Sequence, residues 1–210
     1  MPAADWFFDY VSPYPYLQLA RFHELPADLV VRPRPLLFAG LLNHWGHLGP
    51  AEIPAKKLQT FRLTRHIAER RGLPFAGPPR HPFNPLALLR LTLVAGPTVE
   101  TVRAIYDHVW GEGRDGQDPE SVAEVAAALG VDDLSALDDP AIKATLRENG
   151  EAAVAAGVYG VPTFLCDGEL FWGDDATDLF IAFLKNPEIF RRPPYAAAET
   201  VEPAAERRRR

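Results

Sequence analysis

A buried strand that stops at a Ser-Pro pair constrains this chain more than any other feature. Trp6 to Val11 is an apolar and aromatic run in which only Asp9 is charged, a pattern typical of a buried β-strand. Ser12 is a good N-cap, and Pro13 suits the first helical position because its missing N–H would be unpaired there anyway. The sequence therefore predicts a strand, a tight turn and a helix that presents the Ser12 hydroxyl where the helix dipole favours an anion. The simpler alternative is that Ser12 is a helix cap and nothing more.

A single cysteine and a net charge of −6 in 210 residues narrow the class of protein. One cysteine excludes a disulfide framework, a Cys-x-x-Cys redox pair and a cysteine zinc cluster within the chain. Cys166 lies in a predicted buried strand, which indicates an inert core thiol. The acidic balance argues against nucleic-acid binding, no window of about 18 apolar residues predicts a membrane span, and no signal peptide is visible. We therefore expect a cytoplasmic protein without nucleic-acid or membrane partners.

The order of the predicted elements indicates the fold. A strand to Val11, a helix from Pro13 to about Leu25 and a strand from Leu29 form a βαβ unit with parallel strands. Residues 50–156 are almost wholly helical in pattern. Their predicted helices cover residues 54–71, 85–94, 98–110, 121–129 and 140–156. Two short strands then flank Asp167-Gly168, the strongest signal of a type I′ hairpin, and a helix follows from Gly173.

A βαβ half and a ββα half, separated by helices, predict an α/β thioredoxin-like fold with a large helical domain inserted between the halves. We assign residues 1–49 and 157–190 to the thioredoxin-like domain and residues 50–156 to the inserted helical domain. Residues 191–210 are rich in Pro, Ala and Glu and end in four arginines, Arg207 to Arg210. This composition predicts a disordered tail.

The residues expected beside Ser12 indicate a site for a thiol rather than a redox centre. In this fold a cis-proline begins the first strand of the hairpin and faces the first helix, so we expect Pro162 beside Ser12. Redox members of the fold carry Cys-x-x-Cys where this chain has Ser12 to Pro15, which excludes thiol–disulfide exchange. Without those cysteines, the predicted site still offers the Ser12 hydroxyl as a hydrogen-bond donor and an extended backbone strand. They suit a thiol-containing peptide whose thiolate the site would stabilise.

Residues 38–49 predict an apolar stretch followed by a binding loop. His44 and Trp45 belong to its aromatic, Gly-punctuated part, and loops on a rigid scaffold often carry binding residues. The alternative is that Trp45 fills a gap in a surface loop. The six histidines form no ligand pattern, because His44 and His47 have no acidic or cysteine partner nearby. No metal site is predicted.

Four stretches of the sequence resemble the 2-hydroxychromene-2-carboxylate isomerase and kappa-class glutathione transferase family. In chain order these stretches are Phe8–Tyr14, Val109–Gly113, Val158–Phe164 and Leu170–Asp175. Each is weak alone, and their combination, spread over residues 5 to about 185, is specific. The resemblance implies a DsbA-like thioredoxin fold, glutathione as cofactor and a homodimer.

The resemblance also implies site residues. Ser12 matches the active-site serine, which hydrogen-bonds the glutathione sulfur and favours its thiolate form. Val161, just before Pro162, matches the residue whose backbone pairs with the cysteinyl part of glutathione. Asp174 and Asp175 match the helix-start pair that holds the γ-glutamyl end.

This sequence departs from the family pattern at two places. Asp174 stands where the family usually has Ser, Gln or Asn, and Ala176 where it has Arg, so an extra carboxylate would weaken the binding of a ligand carboxylate. His47 stands at a position that is commonly Asn, where it would contact glutathione or add a group that titrates near pH 7. Candidates for the organic-substrate side are His44, Trp45 and Asn84. The last of these is also fully explained as a helix cap.

The implied activity is a glutathione-dependent isomerisation. A thiolate adds to an unsaturated 2-oxo acid or its cyclic hemiketal, the temporarily single bond rotates, and glutathione leaves again. The substrate is thus 2-hydroxychromene-2-carboxylate or a related aromatic or unsaturated acid. The thiolate is favoured over Ser12 as the attacking group, because the sequence places no base beside the serine. The alternatives are a kappa-like glutathione transferase and a thioredoxin-like binding protein without catalysis.

Overall fold

The sheet at the centre of the molecule is mixed and four-stranded. The computed structural model describes residues 2–205, so the arginine run from Arg207 lies outside the described residues. The strands are β1 Ala3–Phe8, β2 Val30–Pro35, β3 Thr163–Cys166 and β4 Glu169–Trp172. Their order is β2-β1-β3-β4, with β1 parallel to β2 and antiparallel to β3. Both prolines of β2 lie on an edge strand, where a missing N–H is tolerated.

Helices surround this sheet. They are α1 Pro13–Leu19, α2 Phe38–Trp45, α3 Pro54–Arg71, α4 Leu86–Ala95, α5 Val99–Tyr106, α6 Pro119–Ala128, α7 Pro140–Ala155, α8 Thr177–Lys185 and α9 Pro193–Ala196. A π-helical turn, Asp107–Gly111, extends α5, and short 3₁₀ turns lie at Phe22–Glu24, Pro50–Glu52, Leu134–Asp138, Asp174–Ala176, Pro187–Arg191 and Ala197–Thr200. The helices α3 to α7 lie between β2 and β3 in the chain, which confirms the predicted helical insertion.

Caps followed by proline begin several of these helices, as the sequence predicts. The Asp118 carboxylate accepts a hydrogen bond from the Ser121 N–H at 3.0 Å, and Asp139 caps α7 in the same way. Asn84 accepts from the N–H of Leu86 at 3.1 Å, so α4 begins one residue later than predicted.

Residues 38–45 differ from the sequence-based expectation. They form the helix α2, so His44 and Trp45 belong to a helix and not to a loop. Gly46 has a φ of 64° and ends this helix as its C-cap. The helix forms because its apolar residues cover the sheet: Leu41 is almost wholly buried in a cluster with Phe7. Helix α1 is also shorter than predicted and ends at Leu19.

The sheet and the inserted helices share one core. Trp6 and Phe8 of β1 are fully buried, with ring centroids 4.9 Å apart. The ring of Tyr10, just past β1, lies 4.7 Å from that of Tyr106 in α5. The Trp110 ring is likewise fully buried in this cluster. Aromatic residues of the insertion therefore cover the end of the central strand.

The segment predicted to be a disordered tail begins with an ordered turn. Pro193–Ala196 is helical, and the Tyr195 ring packs edge-on against Phe190 at 5.8 Å. Aromatic packing onto the C-terminal part of the core gives this segment a partner that its composition does not predict. Within residues 2–205, no helix has the length and apolar character to cross a membrane.

Candidate functional site

Ser12 occupies the N-cap position of α1 without capping the helix. Its backbone is extended, with φ −95° and ψ 132°, and its side chain makes no capping hydrogen bond. The predicted capping role is therefore wrong. Pro15, at the third helical position, removes one of the two N–H groups that a cap side chain binds. Ser12 is 8% exposed and lines a cavity.

The loop that carries Ser12 is fixed through its backbone. The Asp9 carbonyl accepts from the Ser12 N–H at 3.0 Å and from the Tyr106 hydroxyl at 2.9 Å. The Tyr10 carbonyl accepts from the indole N–H of Trp110 at 2.8 Å. Because buried backbone groups that are paired resist movement, the serine is held in place before any ligand arrives.

The Asp9 side chain ties this loop to α2. One carboxylate oxygen accepts from the Val11 N–H at 3.0 Å and the other from the Phe38 N–H at 2.8 Å. Complete burial raises the pKa of Asp9 to about 7, although both N–H bonds act in the opposite direction. Asp9 therefore changes charge near neutral pH while it joins two walls of the cavity.

His81 holds the loop from the opposite side. Its Nε2 lies 2.8 Å from the Val11 carbonyl oxygen, and since a carbonyl only accepts, the neutral ring carries its proton on Nε2. Burial lowers the pKa of His81, and the nearby Lys57 ammonium, which donates to the His81 carbonyl, lowers it further. Nδ1 is buried without a hydrogen-bond partner among the described residues. The sequence signal was a His-Pro pair ahead of a helix, which does not reveal which cavity the ring lines.

The cavity beside Ser12, here called the Ser12 cavity, has a volume of about 280 Å³. Apolar side chains of α2 and of the turn before α4 form most of its walls, among them Phe38, Leu42 and Phe83. Its polar and charged lining residues are Asp9, Ser12, Tyr14, Glu52, Thr60 and His81. Among the described residues, neither a lysine nor an arginine lines it. The cavity thus suits an apolar ligand with a group that accepts a hydrogen bond from Ser12.

Val161 and Pro162 lie at the same end of the sheet as the Ser12 loop. The peptide bond between them is cis, as predicted for the proline that begins the hairpin. The pairing of β1 with β3 ends at Phe7 and Thr163. When the same antiparallel register is extended by two residues along each strand, Val161 comes opposite Asp9. The Val161 main chain therefore lies beyond the sheet ladder, where it could pair with an extended ligand.

Arg71 forms a bidentate ion pair with the carboxylate of Asp174. Its two terminal nitrogens donate to the two carboxylate oxygens at 2.9 and 2.8 Å, and one of them also donates to the Leu17 carbonyl. The Asp174 side chain is 8% exposed. The extra carboxylate in this sequence is thus neutralised inside the protein, which leaves the exposed Asp175 as the accessible carboxylate of the pair.

Tyr14 connects the Asp174–Asp175 helix start with the Ser12 cavity. Tyr14 lines the cavity, and its half-buried phenol lies close enough to both carboxylates to respond to their charge. Burial is the main cause that raises the pKa of Tyr14, and the two aspartates add to it. A ligand in the cavity could therefore extend past Tyr14 toward Asp175.

The other residues that the sequence singles out do not line the Ser12 cavity. His44 lines a separate groove on the other side of α2. The Trp45 indole donates to the Val158 carbonyl at 2.9 Å and packs beside the sheet, which matches the gap-filling alternative. His47 is exposed in the turn after α2, and Asn84 accepts a backbone hydrogen bond at the start of α4.

The described residues contain neither a metal-binding cluster nor a reactive cysteine thiol. Within residues 2–205, no three His, Cys, Asp or Glu side chains are grouped so that they could hold a metal ion. Cys166 is buried, and burial raises the pKa of its thiol, which disfavours the reactive thiolate.

Known proteins match this chain over almost its whole length. The sequence profile of the DSBA-like thioredoxin domain matches residues 4–185. A 2-hydroxychromene-2-carboxylate isomerase of Sphingobium xenophagum is 26% identical over 189 residues, which cover 86% of this chain and 96% of that protein. Glutathione S-transferase kappa 2 of Caenorhabditis elegans is 27% identical over 205 residues, covering 87% and 91%. A solved structure of 2-hydroxychromene-2-carboxylate isomerase superposes with a TM-score of 0.77 at 25% identity, over 95% of this chain and 100% of that one.

Fold and site together define a thioredoxin-like protein that has a serine in place of the redox cysteines. The chain belongs to the DSBA-like thioredoxin domain family, within the group of the 2-hydroxychromene-2-carboxylate isomerases and kappa-class glutathione transferases. The resemblance drawn from the four sequence stretches is confirmed.

Proposed function

We propose that the protein is a glutathione-dependent isomerase that acts on 2-hydroxychromene-2-carboxylate or a related unsaturated 2-oxo acid. The observation that carries the proposal is Ser12, which does not cap α1 and lines an apolar cavity from a fixed loop. The likeness to isomerases over 96% of one relative supports the reaction type. Bound glutathione would supply the thiolate that adds reversibly to the substrate double bond.

The residues around Ser12 offer partners for the cysteinyl and γ-glutamyl parts of glutathione. Ser12 donates its hydroxyl hydrogen to the sulfur, which favours the thiolate and lowers the pKa of the bound thiol. The Val161 main chain, beyond the sheet ladder, offers an extended backbone to the cysteinyl part. Asp175 holds the γ-glutamyl ammonium, since Asp174 is occupied by Arg71. His47 is a further proposed contact.

The protein contributes to the reaction by holding Ser12 in position and by excluding water from the sulfur. The hydrogen bonds to the carbonyls of Asp9, Tyr10 and Val11 fix Ser12, so no reorganisation is needed when charge develops nearby. The apolar walls of the Ser12 cavity keep water away from the sulfur and strengthen its hydrogen bond to the serine.

A kappa-like transferase that acts on an uncharged electrophile is the second candidate. The observation that favours it is the charge of the Ser12 cavity: the carboxyl groups of Asp9 and Glu52 line it, and no lysine or arginine does so among the described residues. A substrate carboxylate placed there would lose its hydration without gaining a cationic partner.

Glutathione binding tests the proposal before any substrate is chosen. We expect calorimetric heat, a thermal shift and ultraviolet thiolate absorbance at neutral pH with the wild-type protein. Ser12→Ala should raise the pKa of the bound thiol by about one unit or more and lower kcat roughly 10- to 100-fold, because a hydrogen bond to a charged group is lost. Ser12→Thr tests the hydroxyl itself, because it retains that group. Ser135→Ala, at an exposed position, is the matched control for the loss of a serine elsewhere.

Two assays then separate the candidate functions. Isomerisation of 2-hydroxychromene-2-carboxylate that requires glutathione supports the isomerase. Conjugation of glutathione to the uncharged 1-chloro-2,4-dinitrobenzene, without isomerisation of the acid, supports the transferase. Neither heat nor thermal shift at about 10 mM glutathione, a concentration that detects even millimolar affinity, would contradict both and leave a binding protein without this catalysis.

A further inference from the structure

A second groove, here called the α2–α7 groove, lies between α2, α4 and α7. Its volume is about 580 Å³, larger than that of the Ser12 cavity. Leucine and valine side chains form its floor: Leu37, Leu41, Leu86, Leu146 and Val154. Helix α7 contributes to this groove and not to the Ser12 cavity, so the two are separate apart from the shared Leu37.

Arg90 lines this groove with hydrogen-bond donors that are not used. Its side chain is 23% exposed, and its one ion pair, with Asp138, is long at 3.4 Å. Asp138 is already bound by Lys143 at 2.8 Å. The Arg90 Nε is buried and has no partner among the described residues. A guanidinium carries five N–H donors and keeps its charge, and Asp138, at 3.4 Å, is the one acceptor that Arg90 meets among the described residues.

The residues that line the groove carry more cations than anions, with Arg90, Lys143 and Arg147 against the single carboxylate of Glu151. Lys143 and Arg147 of α7 and the imidazole of His44 line it beside Arg90. The opposing carboxylates are Glu151, 3.5 Å from Arg147, and the largely exposed Asp138. An anion would therefore find Arg90 at the wall and further cations at the rim.

Two glycines inside helices keep the groove wide. Gly40 of α2 and Gly150 of α7 line it, and a Cβ atom added at either would meet no atom within 4 Å. Glycine destabilises a helix relative to alanine, and neither glycine is required here by close packing. The open space above the leucines is thus maintained at the expense of helix stability.

We propose that the α2–α7 groove binds a carboxylic acid with an apolar body. The carboxylate pairs with the partly exposed guanidinium of Arg90, and the body lies on the leucine floor between Gly40 and Gly150. Arginine suits this role because its planar fork matches the two oxygens of a carboxylate. The site is separate from Ser12, and the inference does not depend on the proposed function.

Binding of 2-naphthoate to the full chain tests the site. We expect saturable one-to-one binding by calorimetry below about 1 mM, and much weaker binding of the uncharged 2-naphthamide. Arg90→Gln should weaken 2-naphthoate binding roughly 10- to 100-fold, because a charge-assisted hydrogen bond is lost. The exposed Arg62→Gln on α3 removes the same charge elsewhere and should leave binding unchanged.

Gly150→Leu separates loss of the groove from loss of the fold. The leucine fills open space and removes a glycine from a helix, so the melting temperature should rise while 2-naphthoate binding is lost. Ser12→Ala should bind 2-naphthoate as the wild type does, because no α7 residue lines the Ser12 cavity.

Three results would overturn the inference. One is equal affinity for the acid and the amide, and another is wild-type affinity in Arg90→Gln or Gly150→Leu. The third comes from sedimentation: a dimeric wild type that becomes monomeric in Gly150→Leu would identify the groove as a contact between copies of the chain.

Discussion

At the scale of single residues, Asp9 explains how a buried carboxyl group organises the Ser12 cavity. It accepts N–H bonds from Val11 and Phe38, one on each oxygen, and so joins the serine loop to α2. A neutral amide could accept only one of these bonds, because its nitrogen is a donor. The same burial that makes the tie rigid raises the pKa of Asp9 to about 7.

Asp9 should make stability depend on pH. The folded-state pKa of about 7 lies above the ordinary aspartate pKa of 3.8, so the fold favours the protonated form. Its contribution to stability is full below the unfolded value and is lost as the pH rises through about 7. Against Asp9→Asn, the wild type should therefore lose on the order of 4 kcal/mol between about pH 4 and 8. Urea unfolding of both proteins at several pH values measures this, and a constant difference would contradict it.

At the scale of elements, the pair of Arg71 and Asp174 fastens three helices together. Arg71 ends α3, Leu17 lies in α1, and Asp174 begins the turn that leads into α8. The buried Gln18 adds a second link, since its amide donates to the Gly173 carbonyl at 2.9 Å. These contacts fix the Asp174–Asp175 turn against the helix that carries Ser12.

Removing Arg71 should destabilise the fold, because the buried Asp174 carboxylate would lose its cationic partner. Arg71→Met is expected to lower the free energy of unfolding by about 3 kcal/mol, and adding Asp174→Asn should restore part of the loss. Arg70→Met, at an exposed neighbouring position, is the matched control. Denaturant unfolding of the four proteins completes the cycle. Additive losses from Arg71→Met and Asp174→Asn would show that the ion pair does not couple them.

At the scale of the whole molecule, the two halves of the thioredoxin-like domain depend on the helical insertion. The Tyr106 ring packs on Tyr10, and the Tyr106 hydroxyl and the Trp110 indole donate hydrogen bonds to the loop beyond β1. A boundary drawn at residues 50 and 156 thus separates segments of chain rather than separate cores.

We therefore expect one cooperative unfolding transition. Circular dichroism and tryptophan fluorescence should report the same urea midpoint, since the fully buried Trp6 and Trp110 lie in one core cluster. A protein made of residues 1–49 joined directly to 157–190 should stay unfolded, because the rings of its central strand lose their cover. Two separate transitions, or a folded short version, would contradict the shared core.

Local signals made much of the fold predictable. Asp167 and Gly168 predict a type I′ turn, and both have positive φ, 50° and 85°. The caps before α6 and α7 are likewise read from adjacent residues. Helix α2 was missed because eight residues give a weak periodic pattern, and burial against the sheet decides their conformation.

The sequence by itself determined the strand that leads to Ser12, the turn at Asp167 and Gly168 and the absence of redox cysteines, because each depends on neighbouring residues or on composition. The tertiary structure decided that Ser12 does not cap α1, that His81 holds a carbonyl 70 residues away, and that Arg71 neutralises Asp174 at a separation of 103 residues. Contacts at such separations follow from the path of the chain through space. No spacing in a single sequence encodes that path, so these contacts emerge only when the elements have packed.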